Sequence, residues 1–489
     1  MAPAEIDLRA IARGTVTAPA GCGKTQLIAH ALAAHRGRKP ILVLTHTNAG
    51  VAALRGRLDR AGVPHSAYRL STIDGWAIRL IASFPGRSGH DPDILRLATP
   101  ARDYPAIREF AWKLLQAGHV SDVLKASYAH LIVDEYQDCS VPQHYLVYFL
   151  SLILPACVLG DPMQGIFGFG GNALANWEQQ VCAHFPVVAE LATPWRWRNA
   201  GAEALGQWLL EARRQLVAGQ SVDLRTGPPA HVTWVQTVPP NDHPQRLAAA
   251  RTLPPTADGR VLIIADSRNR SSQQNFASQT PGASTVEAVD LQDLIAFGNS
   301  FDVASAGAMG QLLALAQSVM TNVGVAELTR RLESLARGTA RNPPSTAESS
   351  ALAFQRAPSI AAAATLLSEL REMPNVRVHR PAILYGVLKA LRGASAGNVP
   401  LAEAARRVRE ENRLLGRPLP KRAVGSTLLL KGLEAEVAVV LNTEGMSAQH
   451  LYVAMTRGSM KLVVCSASPI LGVCDPLTTS FQAEVKVRS

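Results

Sequence analysis

The stretch Thr17–Thr25, TAPAGCGKT, has residue types and spacing that could hold a phosphate chain. Its glycines permit a tight turn whose N–H groups face an anion at the start of a helix. In this pattern Lys24 reaches the outer phosphates and Thr25 offers a hydroxyl to Mg²⁺. Ala18 replaces the first glycine of the general pattern, at little cost where φ is negative. The alternative is a chance glycine turn. The nucleotide-binding candidates are Ala20, Gly21, Cys22, Gly23, Lys24 and Thr25.

Carboxylates suited to the same chemistry follow a later apolar run, in LIVDEYQD. Asp134 is the candidate ligand of Mg²⁺, and Glu135 is the candidate group for polarising the attacking water. An acidic pair after a strand is by itself often a solvated loop end, but downstream of a phosphate loop it indicates a nucleotide site. In VLGDPMQGIFGFGG, Gln164 could sense the γ-phosphate, with an ordinary turn as the alternative. Phe167 and Phe169 could stack on bases, with core packing as the alternative.

The elements that must position these residues alternate between short apolar strands and helices. GTVTAP, PILVLTH, HLIVDE and CVLGD are predicted strands, and TQLIAHALAAH and AGVAALRGRLDRAG are predicted helices. Continuous apolar strands separated by helices indicate a parallel sheet. We therefore predict a first domain over residues 1–190, with a small insertion at about 80–128.

The rest of the chain predicts a second α/β domain over residues 191–489. RVLIIADSRNRS, AEVAVVLN and MKLVVCSA have the composition of strands, whereas residues from about 300 to 420 are mostly helical. ARGTARNPPSTAESS breaks that region as an exposed loop. The helical stretch is therefore interpreted as an insertion into the second sheet.

Composition limits the class of protein. The 489 residues carry 49 Lys and Arg against 38 Asp and Glu, a net charge of +11 that favours a polyanionic partner such as nucleic acid. Six scattered cysteines without a C-x-x-C pair indicate reduced thiols rather than disulfides or zinc ligands. No secretory signal or membrane span is predicted, so we expect a cytoplasmic protein without a membrane partner.

Eight segments resemble, in order, the motifs of superfamily 1 helicases of the UvrD/Rep type: APAGCGKT, VLTHTNAGVAAL, STIDGWAIRLI, IVDEYQD, LGDPMQGIFGFGG, TPWRWRN, STLLLKGLEAEV and LYVAMTRG. They extend from about residue 15 to 460, and residues 300–420 fit poorly. In that family Ala is common at the position of Ala18. The resemblance implies two RecA-like parallel-sheet domains with helical insertions, with ATP and Mg²⁺ as cofactors.

The resemblance also assigns roles to individual residues. It implies phosphate and Mg²⁺ binding by Lys24, Thr25 and Asp134, water activation by Glu135, and γ-phosphate sensing by Gln164. Arg196 and Arg457 would reach the γ-phosphate from the second domain, with Arg198 as the alternative to Arg196 if the motif is shifted by two. Glu434 would lie at the nucleotide. The implied DNA contacts are Thr45, Thr47, Asn48, Thr72, Trp76, Phe167 and Phe169.

The sequence departs from the family at four places. It has no glutamine upstream of the phosphate loop, which puts adenine selectivity in doubt. Asp74 and Leu428 stand where histidines are common, and Gly170 replaces an arginine that holds DNA. The changes at Asp74, Leu428 and Gly170 each remove a polar DNA contact. In addition, both insertions are short for the family.

The leading hypothesis is an ATP-dependent 3′→5′ helicase or translocase that moves on single-stranded or partly duplex DNA. The alternative is a nucleic-acid-sensing ATPase subunit with little unwinding of its own. Such a subunit would partner a nuclease in antiviral defence, as compact UvrD-like proteins do in bacterial antiphage systems such as Gabija. A different phosphate-loop NTPase would leave IVDEYQD, TPWRWRN and LYVAMTRG unexplained.

Overall fold

A computed structural model describes residues 6–168, 173–415 and 419–472. The chain forms two compact units. Unit 1 comprises the described residues of 1–231, 445–460 and 470–489, and unit 2 comprises 232–444 and 461–469. Phe169 and Gly170, both singled out in the sequence, lie outside the described residues.

Unit 1 is built on a six-stranded sheet in the order β3-β2-β4-β5-β1-β6, with parallel pairings throughout. Alternate residues of β2 face opposite sides, since Leu42 and Leu44 pack in one core and Ile41 and Val43 in the other. Both faces are therefore covered, as continuous apolar strands require. The strands are β1 (Arg13–Thr17), β2 (Ile41–Thr45), β3 (Tyr68–Thr72), β4 (Leu131–Val133), β5 (Ala156–Gly160) and β6 (Val187–Glu190), with the antiparallel pair β7 (Val222–Asp223) and β16 (Ile470–Leu471) apart from the sheet.

Helices cover both faces of this sheet. They are α1 (Lys24–Ala33), α2 (Asn48–Arg60), α3 (Ile73–Ser83), α4 (Pro85–Ser88), α5 (Pro100–Gln116), α6 (Ser121–Ser127), α7 (Val141–Ser151), α8 (Cys182–His184), α9 (Trp195–Asn199), α10 (Glu203–Val217) and α21 (Ala448–Met455). The small insertion predicted at about 80–128 contains α4 to α6. Its residues Ile107, Leu114 and Leu124 join the same core cluster as β2 and β4. The insertion therefore completes one face of the sheet.

Unit 2 has a second six-stranded sheet in the order β10-β13-β9-β14-β15-β8. The four pairings whose registers are described are parallel. Its core is formed by β-branched residues of the central strands against α11 and α12. The elements are β8 (Val232–Gln236), β9 (Val261–Ile264), β10 (Ala283–Thr285), β13 (Arg422–Gly425), β14 (Ala435–Val440), β15 (Gly458–Ser466), α11 (Asp242–Ala250), α12 (Arg270–Gln279) and α20 (Thr427–Leu430).

A helical bundle is inserted between β10 and β13 and has a hydrophobic core of its own. It corresponds to the helical insertion predicted at about 300–420. Its helices are α13 (Gln292–Ser300), α14 (Ala308–Val319), α15 (Val325–Ala336), α16 (Thr346–Arg356), α17 (Ile360–Arg371), α18 (Pro381–Gly397) and α19 (Leu401–Leu415), with a two-stranded pair β11 (Met320–Thr321) and β12 (Arg377–Val378).

The predicted fold class is confirmed: two RecA-like α/β sheets carry helical insertions. The compact units do not coincide with the predicted boundary at residue 190, because residues 191–231 and 445–460 cluster with unit 1. Through its indole Nε1, Trp197 of α9 donates to Gly458 O at 2.8 Å, one of the contacts that hold these segments together. No described helix combines the length and apolar character needed to cross a membrane.

Candidate nucleotide site

The phosphate-loop candidate joins the end of β1 to the start of α1. Gly21 and Gly23 have φ of +70° and +89°, a left-handed conformation that favours glycine. Ala18 has no positive φ, and its N–H donates to Gly160 O of β5 at 2.8 Å. The residue that breaks the general pattern therefore continues the sheet, and alanine meets no steric penalty there.

The loop presents backbone donors to an anion. Within the described part of the chain, the N–H groups of Gly21, Gly23, Lys24 and Thr25 have no hydrogen-bond acceptor. Lys24 and Thr25 open α1, so these donors lie at the positive end of a ten-residue helix. Backbone donors at a helix N-terminus form a phosphate site. Inside the loop, burial raises the pKa of the Cys22 thiol to about 12, so this thiol is protonated at neutral pH.

Lys24 lies between the two predicted carboxylates. Its Nζ is 3.1 Å from Asp134 Oδ1 and 2.5 Å from Glu135 Oε1. Burial opposes the ammonium form, but the charges of both carboxylates outweigh it and raise the pKa of Lys24. Burial also raises the pKa of Asp134 above its ordinary value, with Lys24 opposing the shift. The lysine therefore stays charged, and a nucleotide phosphate would compete with two carboxylates for it.

Glu135 is held in a strained backbone conformation directly after β4. Its φ is +55°, at the start of the short 3₁₀ helix Tyr136–Asp138. For a residue with a Cβ this left-handed conformation costs roughly 1–2 kcal/mol. Such strain is found preferentially at functional sites, where it fixes the direction of a side chain.

A chain of hydrogen bonds, called the relay below, runs from Glu135 through Gln137 and Asp161 to Gln164, which follows the end of β5. Gln137 Nε2 donates to Glu135 Oε2 at 2.5 Å, and Gln137 Oε1 accepts from Asp161 N at 3.2 Å. Gln164 Nε2 donates to Asp161 Oδ2 at 3.2 Å. Arg213 of α10 donates to Asp161 Oδ1 from Nε and Nη2, at 3.1 and 2.9 Å. The predicted sensor Gln164 is thus linked to the predicted water-activating Glu135 through Gln137 and Asp161.

The helix α9 lies against the phosphate loop. Arg196 N donates to Gly21 O at 3.0 Å, and Arg196 Nη1 donates to Thr456 O at 2.7 Å. A Cβ on Gly21 would lie 2.5 Å from the Trp197 ring, and one on Gly23 would lie 3.0 Å from Trp195. The tryptophans of TPWRWRN therefore cover the loop. Trp197 leaves no room for a Cβ on Gly21, and a Cβ on Gly23 would make a tight contact with Trp195.

The helix α21, from LYVAMTRG, reaches the loop as well. Ala20 N donates to the Tyr452 hydroxyl at 3.0 Å, and Tyr452 is buried. Arg457 is only 3% exposed, and its Nε donates to Val453 O at 2.8 Å. To reach a phosphate, this predicted arginine would have to exchange its backbone acceptor.

The remaining nucleotide candidates are exposed. Arg198, the alternative to Arg196, pairs with Glu203 at 2.5 Å on the surface of unit 1. Arg196 contacts the loop through its backbone N–H, while its guanidinium donates to Thr456 O. Glu434 is exposed in unit 2, directly before β14.

The donor set fits Mg²⁺. Among the described residues, no group of three or more His, Cys, Asp or Glu side chains could hold a metal ion by themselves. Mg²⁺ is usually held by one or two carboxylates together with substrate phosphates and water. Asp134, buried at the end of β4, and Thr25, at the start of α1, would provide the hard oxygen ligands for that arrangement.

The predicted DNA contacts divide by exposure. Thr47 and Asn48, after β2, are exposed, and Thr72 at the end of β3 is partly exposed. Thr47 and Thr72 are N-caps that accept from Gly50 N and Gly75 N, both at 3.0 Å. Partly exposed Phe167 lies beside His46, with ring centroids 6.1 Å apart. These residues follow the carboxyl ends of parallel strands, where ligands of open α/β sheets bind.

Two predicted DNA contacts are buried. Thr45 is 1% exposed, and Trp76 is 3% exposed in the core beside Ile73, Ala77 and Leu80. A buried ring cannot stack on a base, so the burial of Trp76 argues for a packing role. The spacing i, i+3, i+4, i+7 of these apolar residues in STIDGWAIRLI is the sequence signal for that burial.

Several residues of the site were missed from the sequence. Sequence patterns do not single out Gln137, Arg213 or Tyr452, whose distant partners Asp161, Asp161 and Ala20 lie 24, 52 and 432 residues away. The structure shows one constraint around Gln137. A Cβ on Gly160 would lie 2.7 Å from Gln137 Oε1, so the glycine that ends β5 makes room for the relay.

A family model and a solved structure are similar to parts of the chain. Residues 9–170 match the family model described as an AAA domain. No curated protein gives a significant match. Among solved structures, the chain is similar to the arterivirus nonstructural protein 10 helicase, solved in complex with DNA, at 15% identity. The alignment covers 57% of this chain and 53% of that one, about half its length, and a TM-score of 0.28 is too low to carry an inference of function.

Proposed function

We propose that the chain is an ATP-dependent 3′→5′ DNA helicase or translocase that moves on single-stranded DNA. The observation that carries the proposal is the position of Lys24. It opens α1, where four loop N–H groups have no acceptor among the described residues, and it pairs with Asp134 and Glu135. A cation, backbone donors and two carboxylates at one sheet edge suit phosphoryl transfer from Mg²⁺-bound ATP.

Each residue would have a separate task. On nucleotide binding Lys24 would exchange its carboxylate partners for phosphate oxygens, leaving Asp134 for Mg²⁺ and Glu135 for the attacking water. Bound Mg²⁺ would neutralise phosphate charge. Arg196 would add positive charge at the γ-phosphate, which in comparable sites is worth roughly 10³–10⁵ in rate. Gln164, linked to Glu135 through Gln137 and Asp161, would report the state of the γ-phosphate.

Single-stranded DNA would lie along the carboxyl ends of β2 and β3. Thr47, Asn48 and Thr72 offer short polar side chains of the kind that contact phosphates without reading sequence. Phe167 offers a partly exposed ring to a base. The 3′→5′ polarity rests on the resemblance of IVDEYQD to UvrD/Rep-type helicases.

The test is ATP hydrolysis by the native chain with and without single-stranded DNA, beside the Lys24→Ala variant. We expect hydrolysis to rise at least about tenfold with DNA and to be lost in the variant, because removing Lys24 removes phosphate binding. Hydrolysis that ignores DNA, or that needs a partner protein, would contradict the translocase. That result would favour the ATPase subunit of a nuclease system instead.

A further inference from the structure

The helical insertion of unit 2 contains a cavity that none of the helicase-like motifs explains. Its volume is about 650 Å³, within the range of small-molecule sites. The walls come from α17, α18 and α19, and the buried floor is apolar, formed by Leu388, Ala404 and Val408.

The rim of the cavity combines one aromatic ring and four cations with one carboxylate, that of Glu411. Tyr385, Lys389 and Arg392 follow one another at i, i+4 and i+7 on α18, so they share one face of that helix. At 1.5 Å per residue, Lys389 lies about 6 Å and Arg392 about 10 Å along the axis from Tyr385. Arg371, at the end of α17, and Arg407, on α19, complete the set of four cations.

Tyr385 is unusually open for an aromatic residue, with 50% of its surface exposed. The Arg371 guanidinium lies 5.8 Å from the ring centroid. A ring held by a cation and open to solvent offers a platform on which a nucleobase can stack.

The cations are available to an incoming anion. Arg371, Lys389 and Arg407 each pair with a carboxylate (Glu372, Glu411 and Glu403), and these side chains are at least one-third exposed. Exposed pairs contribute about 0–1 kcal/mol, so a phosphate can replace such a partner at small cost. Within the described ranges Arg392 has no carboxylate partner, and its Nη2 donates only to Ser368 Oγ at 3.3 Å.

Gly393 of α18 also lines the cavity, and a Cβ there would have no heavy atom within 4 Å. A larger side chain at this position would therefore project into the open space of the cavity.

We propose that this cavity binds a nucleotide, with the base against Tyr385 and the phosphate at Arg392 and Lys389. Two sources share that chemistry: a free nucleotide and one nucleotide of a nucleic-acid strand. The inference is independent of the function proposed for unit 1, since every residue that carries it belongs to the helical insertion.

Photo-crosslinking of the full-length chain tests the proposal, because it reports the position of binding. One sample receives 5-iodo-2′-deoxyuridine 5′-monophosphate, and another an oligothymidylate containing one 5-iodo-2′-deoxyuridine. After irradiation, adducts are mapped by mass spectrometry. We expect an adduct on the α18 peptide that contains Tyr385. Arg392→Glu and Gly393→Leu should each lower its yield about tenfold, the value of one stacking or charged contact.

The matched control is Gly310→Leu, in α14 of the same bundle. Gly310 is exposed and also has open space at its Cβ position, so this variant adds the same side chain away from the cavity. Helical circular dichroism verifies folding of every variant. Labelling of Tyr385 by both probes would identify a free-nucleotide site, and labelling by the oligonucleotide alone would identify a strand site. Labelling by neither probe, or labelling that persists in both cavity variants, would overturn the proposal.

Discussion

At the scale of single residues, the site depends on where charge is held. Lys24 pairs with two carboxylates, of which Asp134 is buried and Glu135 is the more exposed. The buried carboxylate is suited to a metal ion, whereas the exposed one can meet water. This difference in exposure fits the two roles proposed for these acidic neighbours.

Glu135→Gln should separate nucleotide binding from hydrolysis. The amide keeps the size of the side chain but cannot accept a proton, so hydrolysis should fall by about 10²–10⁴, the usual contribution of a general base. Binding of ATP should remain, since Lys24 and the loop N–H groups are unchanged. Steady-state hydrolysis and equilibrium nucleotide binding measure the two effects. Glu178→Gln, at an exposed position of unit 1, is the control. Equal hydrolysis in both variants would remove Glu135 from the reaction.

Arg196 and Arg198 provide a second comparison within one short helix. Arg196 contacts the phosphate loop through its backbone N–H, whereas the Arg198 guanidinium pairs with partly exposed Glu203. Arg196→Ala should lower kcat by about 10³ or more, and Arg198→Ala should change it less than about threefold. Thermal unfolding of both variants verifies that the fall in kcat does not result from a loss of the folded state. The opposite order would show that the motif is shifted by two residues.

At the scale of elements, the loop between β1 and α1 depends on backbone conformation more than on composition. Gly21 has a positive φ and touches Trp197, whereas Ala18 continues the sheet by donating to Gly160. Gly21→Ala should cost more than about 1–2 kcal/mol, because the left-handed conformation and the ring contact both oppose a Cβ. Ala18→Gly should cost less than about 1 kcal/mol. Urea unfolding compares the two variants, and equal losses would contradict this description of the loop.

The helix α7 contributes a pH dependence of stability. His144 Nδ1 is hydrogen-bonded to the Tyr136 hydroxyl and Nε2 to His184, both at 2.8 Å. Burial lowers the pKa of His144 to about 4. Between pH 6.5 and about 4 the unfolded chain therefore binds a proton that the folded chain does not. Stability falls as pH decreases through this window, by about 2 kcal/mol at pH 5.

The His144→Gln variant tests that assignment. It should be less stable than the native chain at pH 7.5, because it loses hydrogen bonds, but it should lose less stability on going to pH 5. Urea unfolding at the two pH values measures the difference, with exposed His119→Gln as the control. An unchanged pH dependence in His144→Gln would assign the effect to other groups.

Local sequence predicted the elements well and the contacts between distant elements poorly. The phosphate loop with Lys24 and the strand before Asp134 can each be predicted from a few neighbouring residues. The hydrogen bond from Ala20 N to the Tyr452 hydroxyl joins residues 432 positions apart, and no local sequence pattern predicts it. The burial of Trp76 follows from the i, i+3, i+4, i+7 spacing of its apolar neighbours, which is a local pattern.

At the scale of the whole molecule, the net charge of +11 should make the affinity for DNA fall as the salt concentration rises. Each phosphate neutralised on a single strand contributes about −0.7 to the slope of log K against log salt. Contact with three or more phosphates therefore predicts a slope of about −2 or steeper. Fluorescence anisotropy with labelled oligothymidylate between low and moderate salt measures it. A slope near zero would mean that phosphate contacts do not drive binding.

Movement along single-stranded DNA, driven by ATP hydrolysis at the site of Lys24, is tested most directly by displacement of streptavidin from biotinylated oligonucleotides. With ATP, we predict displacement from the 5′ end and little from the 3′ end, since a 3′→5′ translocase runs toward the 5′ end. Lys24→Ala should displace streptavidin from neither end. Displacement from the 3′ end alone would reverse the polarity, and no displacement by the native chain from either end would contradict the account.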